Sequence, residues 1–172
     1  MKKATIVYIV NPHTQEVLLA KKTRKVGVGY WFGYGGKIEE GEEADESLCG
    51  EVRDEAGGLT VSKEHLERVG IMDFYNGPDV PFGEPTFRVL CYRTETWEGT
   101  PSTTEEMADP TWFSISALND LDRTGELKPG DLPFVLRIIA NEPFQGWTRF
   151  SKDEKEVLGQ EVISCDQKDL IL

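Results

Sequence analysis

Thr5–Val10 is a run of β-branched and apolar residues and predicts a strand. Asn11-Pro12-His13-Thr14 turns the chain, and Glu16–Lys21 predicts the return strand of a hairpin. Ala44, Leu48, Val52 and Ala56 then recur at helical spacing, and Gly57-Gly58 stops the pattern. Val69–Tyr75 and Phe87–Thr94 predict two further strands, separated by a Gly/Pro loop from Asn76 to Pro85. Thr111–Ile115 predicts a short strand. Leu132–Asn141 predicts a second helix, with Pro133 tolerated in its first turn. Trp147–Phe150 and Glu161–Cys165 predict late strands, with Ser151–Gln160 as a polar connection. Strands outnumber the two helices, so the expected class is α+β. No repeat, low-complexity tract or linker divides the chain. A single domain over 1–172 is expected, with 151–172 as a C-terminal extension packed on it.

Composition narrows the function. A chain of 172 residues can bury a core without metal or disulfide staples. With 19 Lys and Arg against 31 Asp and Glu, the formal net charge is −12. That argues against binding a nucleic acid polymer or an anionic membrane surface, both of which need a basic face. It leaves an anionic small substrate open, because a bound divalent cation inverts the local charge. Cys49, Cys91 and Cys165 are an odd number with no C-x-x-C pair, which points to a reducing compartment. The apolar run after Met1-Lys2-Lys3 ends at Asn11-Pro12 without a small-residue cleavage site, and no run approaches the ~20 residues of a membrane span. The expected setting is cytoplasmic, with no obligate protein partner indicated.

The predicted helix over 44–56 carries the chemistry. Glu51, Asp54 and Glu55 lie at i, i+3 and i+4 and share one face, with Glu55 near the apolar stripe. Such carboxylates repel one another, and Mg²⁺ or Mn²⁺ would turn the repulsion into ligation. Before the helix, Gly27, Gly29, Gly33, Gly35 and Gly36 crowd around Tyr30-Trp31-Phe32, a composition that lets backbone approach a ligand or another strand closely.

In this segment the chain resembles the Nudix hydrolases, whose box reads G-x5-E-x7-R-E-U-x-E-E-x-G-U with U a bulky apolar residue. Gly36, Glu42, Gly50, Glu51, Val52, Asp54, Glu55, Gly57 and Gly58 stand at those positions. The resemblance is nearest to the branch that hydrolyses oxidised purine nucleoside triphosphates. It extends through Leu18–Lys22, Tyr30–Lys37, Gly99-Thr100-Pro101, Glu105-Glu106-Met107, Trp112-Phe113 and Gly146–Phe150. It implies a mixed sheet packed between helices and Mg²⁺-dependent cleavage of a nucleoside diphosphate linkage. It further implies Glu51, Asp54, Glu55 and Glu106 as metal ligands together with the backbone of Gly36, and Glu51 or Glu55 as the catalytic base. It also implies Lys22 as a phosphate-facing lysine, and Phe32 and Asp131 as residues of the base pocket.

The match departs at identifiable places. The box Arg is Gly50, the first Glu of its pair is Asp54, and the last bulky position is Gly58. Gly50 removes a cation from among the carboxylates and costs the helix about 1 kcal/mol relative to Ala; Arg53 is expected to point to another sector. The branch's W-N-G-F-G-G-K run has Phe32 in place of Asn, and its W-P-D-D run reads Lys128-Pro129-Gly130-Asp131, which keeps one acid and loses the Trp. Trp31, Phe32 and Tyr34 fit either base stacking or core packing. Lys21, Arg24 and Lys25 read as a solvated charge run, His13 and His65 as exposed, and Trp97 and Trp112 as sheet packing. Three functions fit: a Mg²⁺-dependent pyrophosphohydrolase of an ordinary or modified nucleoside triphosphate, a catalytically weak or inactive nucleotide-binding module of the same fold, and a hydrolase of another nucleoside diphosphate derivative.

Overall fold

The architecture grows from the first hairpin. In the computed structural model, which describes residues 1–171, β1 (Lys2–Asn11) and β2 (Glu16–Lys22) pair antiparallel across the Asn11–Gln15 turn. Asn11 Oδ1 accepts from the N–H of His13 at 2.9 Å, the local side-chain bond that favours Asn in turns. The chain continues through β3 (Trp31–Phe32), β4 (Tyr34–Lys37), α1 (Ala44–Glu55), β5 (Leu59–Thr60), β6 (Glu67–Asn76) and β7 (Phe87–Thr94). Then come β8 (Glu98–Gly99), β9 (Met107–Phe113), α2 (Ile115–Arg123), α3 (Leu132–Ala140), β10 (Phe144–Phe150) and β11 (Val157–Ser164). The large sheet runs β11-β10-β6-β7-β1-β2-β3, with β9 also on β2, and it is mixed: β1 with β7 and β6 with β10 are parallel.

The alternation along β1 assigns the two faces. Val7 and Ile9 point to α1, and Tyr8 and Val10 point to α2 and α3; all four are buried. Leu48, Val52 and Ala56 complete the first layer, and Leu118, Phe134, Val135 and Ile138 complete the second. Both faces of the central strands are therefore apolar, which explains why Val7–Val10 reads as an uninterrupted apolar run. The expected α+β class and the sheet between helices are both found.

One edge of β1 is shared. Ala4–Val7 pairs with β4, whereas Ile9–Asn11 pairs with β2. The chain crosses from β3 to β4 at Gly33, where a Cβ would lie 2.3 Å from the carbonyl oxygen of Val7. Only glycine allows that approach.

Four expectations change. A third helix, α2, begins at Ile115, because the Ser114 hydroxyl caps it by accepting from the N–H of Ala117 at 3.1 Å. The strand expected over Thr111–Ile115 is accordingly Met107–Phe113. The strand expected from Trp147 starts at Phe144, because the parallel ladder with β6 carries through Gly146. The connection expected through Gln160 becomes strand at Val157, where pairing with β10 outweighs a polar sequence. Beyond β11, Leu170 is buried and its carbonyl accepts from Arg68 Nη1 at 2.9 Å. All three cysteines are free, and no helix among the described residues is long and apolar enough to cross a membrane.

Gly70 on β6 sits against the ring of Phe144, and an added Cβ would lie 2.1 Å from Cζ. Gly70→Ala should therefore lower the unfolding free energy by about 1–3 kcal/mol in urea titration, the usual cost of overpacking a dense core.

Candidate active site

Helix α1 presents its chemistry because one carboxylate is on its buried stripe. Glu55 shares that stripe with Leu48 and Val52 and is only 4% exposed. The N–H of Gly35 donates to Glu55 Oε2 at 3.4 Å. Beside it, a Cβ on Gly36 would lie 2.6 Å from the carboxyl carbon of Glu51, so the bare glycine backbone is what lets this carboxylate rest on β4. The helix ends where the Gly57 backbone turns left-handed, at φ 63°. Gly58, at φ 130°, has no room for a side chain either: a Cβ there would lie 2.8 Å from the carbonyl oxygen of Thr100. The missing bulky residue at the end of the motif is thus a local backbone requirement.

The end of α1 anchors a distant loop. The N–H of Ser102 donates to the carbonyl of Ala56 at 2.8 Å, and the Thr104 hydroxyl donates to the carbonyl of Glu55 at 2.8 Å. Those bonds bring Glu106 beside Glu55. Lys25 Nζ lies 2.5 Å and Arg24 Nη2 3.1 Å from Glu106 Oε1. These two cations are exposed, as expected, and they also hold Glu106, because the Thr23 N–H bonds to the Glu106 carbonyl at 2.9 Å and ties the basic loop to this strand.

The electrostatics follow from this packing. Hydrogen bonding to Lys25 holds the Glu106 carboxyl well below the usual range. Burial pushes Glu55 up, opposed by Lys22 and reinforced by neighbouring Glu106 and Glu51, so Glu55 keeps its proton more tightly than an ordinary carboxyl. Burial also raises Glu51, against the pull of Lys25. Gly50 is the helix position where the motif carries a cation, and open space lies above it except for Arg53 Nη2, 3.8 Å from where a Cβ would be. Arg53 was expected in another sector; its long side chain folds back over the vacant position. The cations that act on Glu51 nevertheless come from the end of β2 and the loop after it, Lys22 and Lys25.

Glu51, Glu55, Glu106, Lys22, Lys25 and the backbone of Gly36 line one cleft of about 580 Å³. Asp54 does not line it; it lies with Glu42 and Glu51 on an adjoining shallow groove. Among the described residues, no three acidic, His or Cys side chains already converge on a point as a metal cage does. The donor set is nonetheless all hard oxygen, and burial disfavours the charge on Glu55 and Glu51, a charge that a divalent cation would stabilise. By the chemistry of their donors, the residues that line the cleft fit such an ion.

The same cleft continues between aromatic and polar residues: Phe32, Phe74, Phe87, Phe134, Asn76, Lys128 and Asp131. Of the three aromatics left open by sequence, Phe32 alone lines it; Trp31 packs edge-on to Phe113 and Tyr34 is buried beneath α1. The Gly27 backbone lies against the Phe32 ring. Asp131 is 4% exposed, and burial pushes its carboxyl from 3.8 to about 7, with Lys128 opposing. Trp97 and Trp112 pack on each other 5.1 Å apart over the α1 layer, and His13 and His65 are exposed, as expected.

The NUDIX domain profile matches residues 1–137, which contain every carboxylate named above. The chain belongs to the NUDIX family. It is a hydrolase of phosphoric anhydride bonds, a family chemistry that generally uses a divalent metal. It is 29% identical over 164 residues to a mouse protein named oxidized purine nucleoside triphosphate hydrolase, covering 94% of both chains. It is 35% identical over 150 residues to a zebrafish protein of the same name, covering 87% of this chain and 86% of the other. The fold is similar to that of a MutT protein from Bacillus halodurans, with a TM-score of 0.73 at 22% identity over 94% of this chain and 97% of that one. A MutT protein from Methanosarcina mazei aligns with a TM-score of 0.61 at 18% identity, over 80% and 91% of the two chains.

The NUDIX helix, glycine strand and acidic loop were thus legible in sequence. Lys25 and Asn76 were missed as lining residues of the cleft, because each belongs to a loop or strand end with no spacing signal, and Lys128 was read only as the loss of the motif's Trp. Gly50→Arg should raise the melting temperature of the metal-free protein, since the space is open, helix propensity improves by somewhat under ~1 kcal/mol and a cation joins the carboxylates. Asp131 supplies a pH signature. Its folded pKa is raised, so its stabilising contribution is complete below 3.8 and is lost as pH rises to about 7. Asp131→Asn should therefore gain melting temperature relative to the parent across that window, and the difference should be constant above it.

Proposed function

We propose that the chain is a Mg²⁺-dependent pyrophosphohydrolase that cleaves an ordinary or oxidised nucleoside triphosphate to monophosphate and pyrophosphate. The observation that carries this reading is the continuity of the cleft. Glu51, Glu55, Glu106, Lys22 and Lys25 line the same cleft as the aromatic residues Phe32, Phe74 and Phe134. The names of the mouse and zebrafish relatives support the same substrate class.

The roles follow from position. Glu51, Glu55, Glu106 and the Gly36 carbonyl would hold Mg²⁺, with Asp54 contributing from the adjoining groove. When bound, the ion neutralises phosphate oxygens and lowers the pKa of water. Lys22 and Lys25 face the same end and attract the phosphate chain. Burial makes Glu55 hold its proton more tightly than an ordinary carboxyl, so once ionised it is the stronger proton acceptor of the set and the residue suited to take a proton from the attacking water. Phe32 supplies a ring to a base, and Asp131 a polar edge. The three free cysteines support a cytoplasmic setting.

A second reading, nucleotide binding without turnover, is favoured by Gly50, which deprives the helix of its motif cation. A phosphate-release screen over ordinary and oxidised nucleoside triphosphates and nucleotide sugars, with and without Mg²⁺, separates the two. Mg²⁺-dependent turnover of a triphosphate is expected, and Glu55→Gln should reduce it at least ~100-fold while leaving the fold intact. Binding with no release from any nucleotide would establish the second reading.

A further inference from the structure

At the far end of the cleft, the polar groups form a set that the hydrolysis chemistry does not use. Asn76 is the last residue of β6, and its backbone N–H is fixed by the Thr86 hydroxyl at 3.0 Å. Its Nδ2 donates to Glu154 Oε1 at 2.8 Å. A carboxylate only accepts, so this bond fixes the amide with its oxygen on the other side. That oxygen, Oδ1, is buried and has no hydrogen-bond partner. Buried acceptors are nearly always satisfied, so this orphan, on a residue that lines the cleft, is available to a donor that enters the cleft.

The same Glu154 oxygen accepts from Lys128 Nζ at 3.2 Å, which makes Lys128 and the Asn76 amide neighbours. The Lys128 side chain is 13% exposed, and its ammonium stands 4.5 Å from the centre of the Phe150 ring. Glu154 takes one of its three N–H donors, so donors remain for a ligand. The pocket thus offers an acceptor next to a cationic donor, with the apolar walls Phe32 and Phe74 alongside.

We infer that Asn76 and Lys128 read the base of the nucleotide and select a lactam edge, an N–H beside a C=O. The N–H satisfies Asn76 Oδ1, and the carbonyl accepts from Lys128. A carbonyl oxygen offers an ammonium two lone pairs and substantial negative charge. An amino-substituted edge offers a single ring-nitrogen lone pair instead. Glu154 is a positioning residue: it orients the amide and holds the ammonium. This inference rests on the placement of the base in this end of the cleft under the proposed function. The lactam has two sources among purines, the six-membered ring of a keto base or the five-membered ring of a base oxidised at carbon 8.

Calorimetric binding of three nucleoside monophosphates tests it without requiring turnover. Inosine monophosphate carries the lactam on the six-membered ring, 8-oxoadenosine monophosphate only on the five-membered ring, and adenosine monophosphate on neither. At least one of the first two should bind about tenfold tighter than the third, and the better one identifies the source. Asn76→Leu and Lys128→Met should each weaken that ligand about tenfold and leave adenosine monophosphate within about twofold; if one variant does not fold, the other decides. Equal affinity for all three, equal weakening of all three by the variants, or no binding of any would overturn the inference. Lactam selectivity in a protein that hydrolyses no triphosphate would refute the proposed function alone. Triphosphate hydrolysis without lactam selectivity would refute this inference alone.

Discussion

The site depends on the contact between two glycines of β4 and two carboxylates of α1. Gly35 offers its N–H to Glu55, and Gly36 has no Cβ where the Glu51 carboxylate rests. β4 can lie there only because β1 divides one edge between two partners, with Gly33 passing against the Val7 carbonyl at the branch. A side chain at Gly36 would force β4 and α1 apart, and one at Gly33 or Gly35 would collide with the backbone of β1. The local architecture of the sheet therefore sets where the acids stand.

That placement has an electrostatic consequence. Glu55 occupies a core position on an apolar stripe, where a charge is poorly solvated, and Glu106 is brought next to it by bonds from Ser102 and Thr104 to the end of α1. Loss of the motif cation at Gly50 adds to the strain on this set. The end of β2 and the basic loop after it answer from the other side, with Lys25 and Arg24 on Glu106 and Lys22 facing Glu55. A divalent ion would act on the same imbalance. The family membership and the departures from its motif are thus reconciled by charges drawn from different parts of the chain.

The other end of the cleft answers to different elements. Asn76 ends β6, Lys128 and Asp131 precede α3, and Glu154 belongs to the turn between β10 and β11. They meet because β10 lies parallel to β6, with Phe150 opposite Asn76. The late part of the chain therefore contributes directly to the pocket, through Glu154, although its sequence carries no motif.

The sequence by itself determined what local spacing can encode. The alternation of β1, the stripe of α1, the i, i+3, i+4 carboxylates and the glycine run all act between near neighbours, so their pattern is written in order along the chain. It likewise exposed Gly50 as a missing cation. The short capped helix at Ile115 stayed hidden because it follows directly on a strand, and the start of β11 because pairing decides it. Tertiary structure alone decided that Arg24 and Lys25 hold Glu106, that Arg53 folds over Gly50, that Asp54 stands outside the main cleft, and that Asn76, Lys128 and Glu154 form one network. These contacts join residues from about 26 to about 82 positions apart, apart from the helical turn at Arg53. Their energies depend on which strands lie side by side and on how far water is excluded, and neither quantity has a period in the sequence.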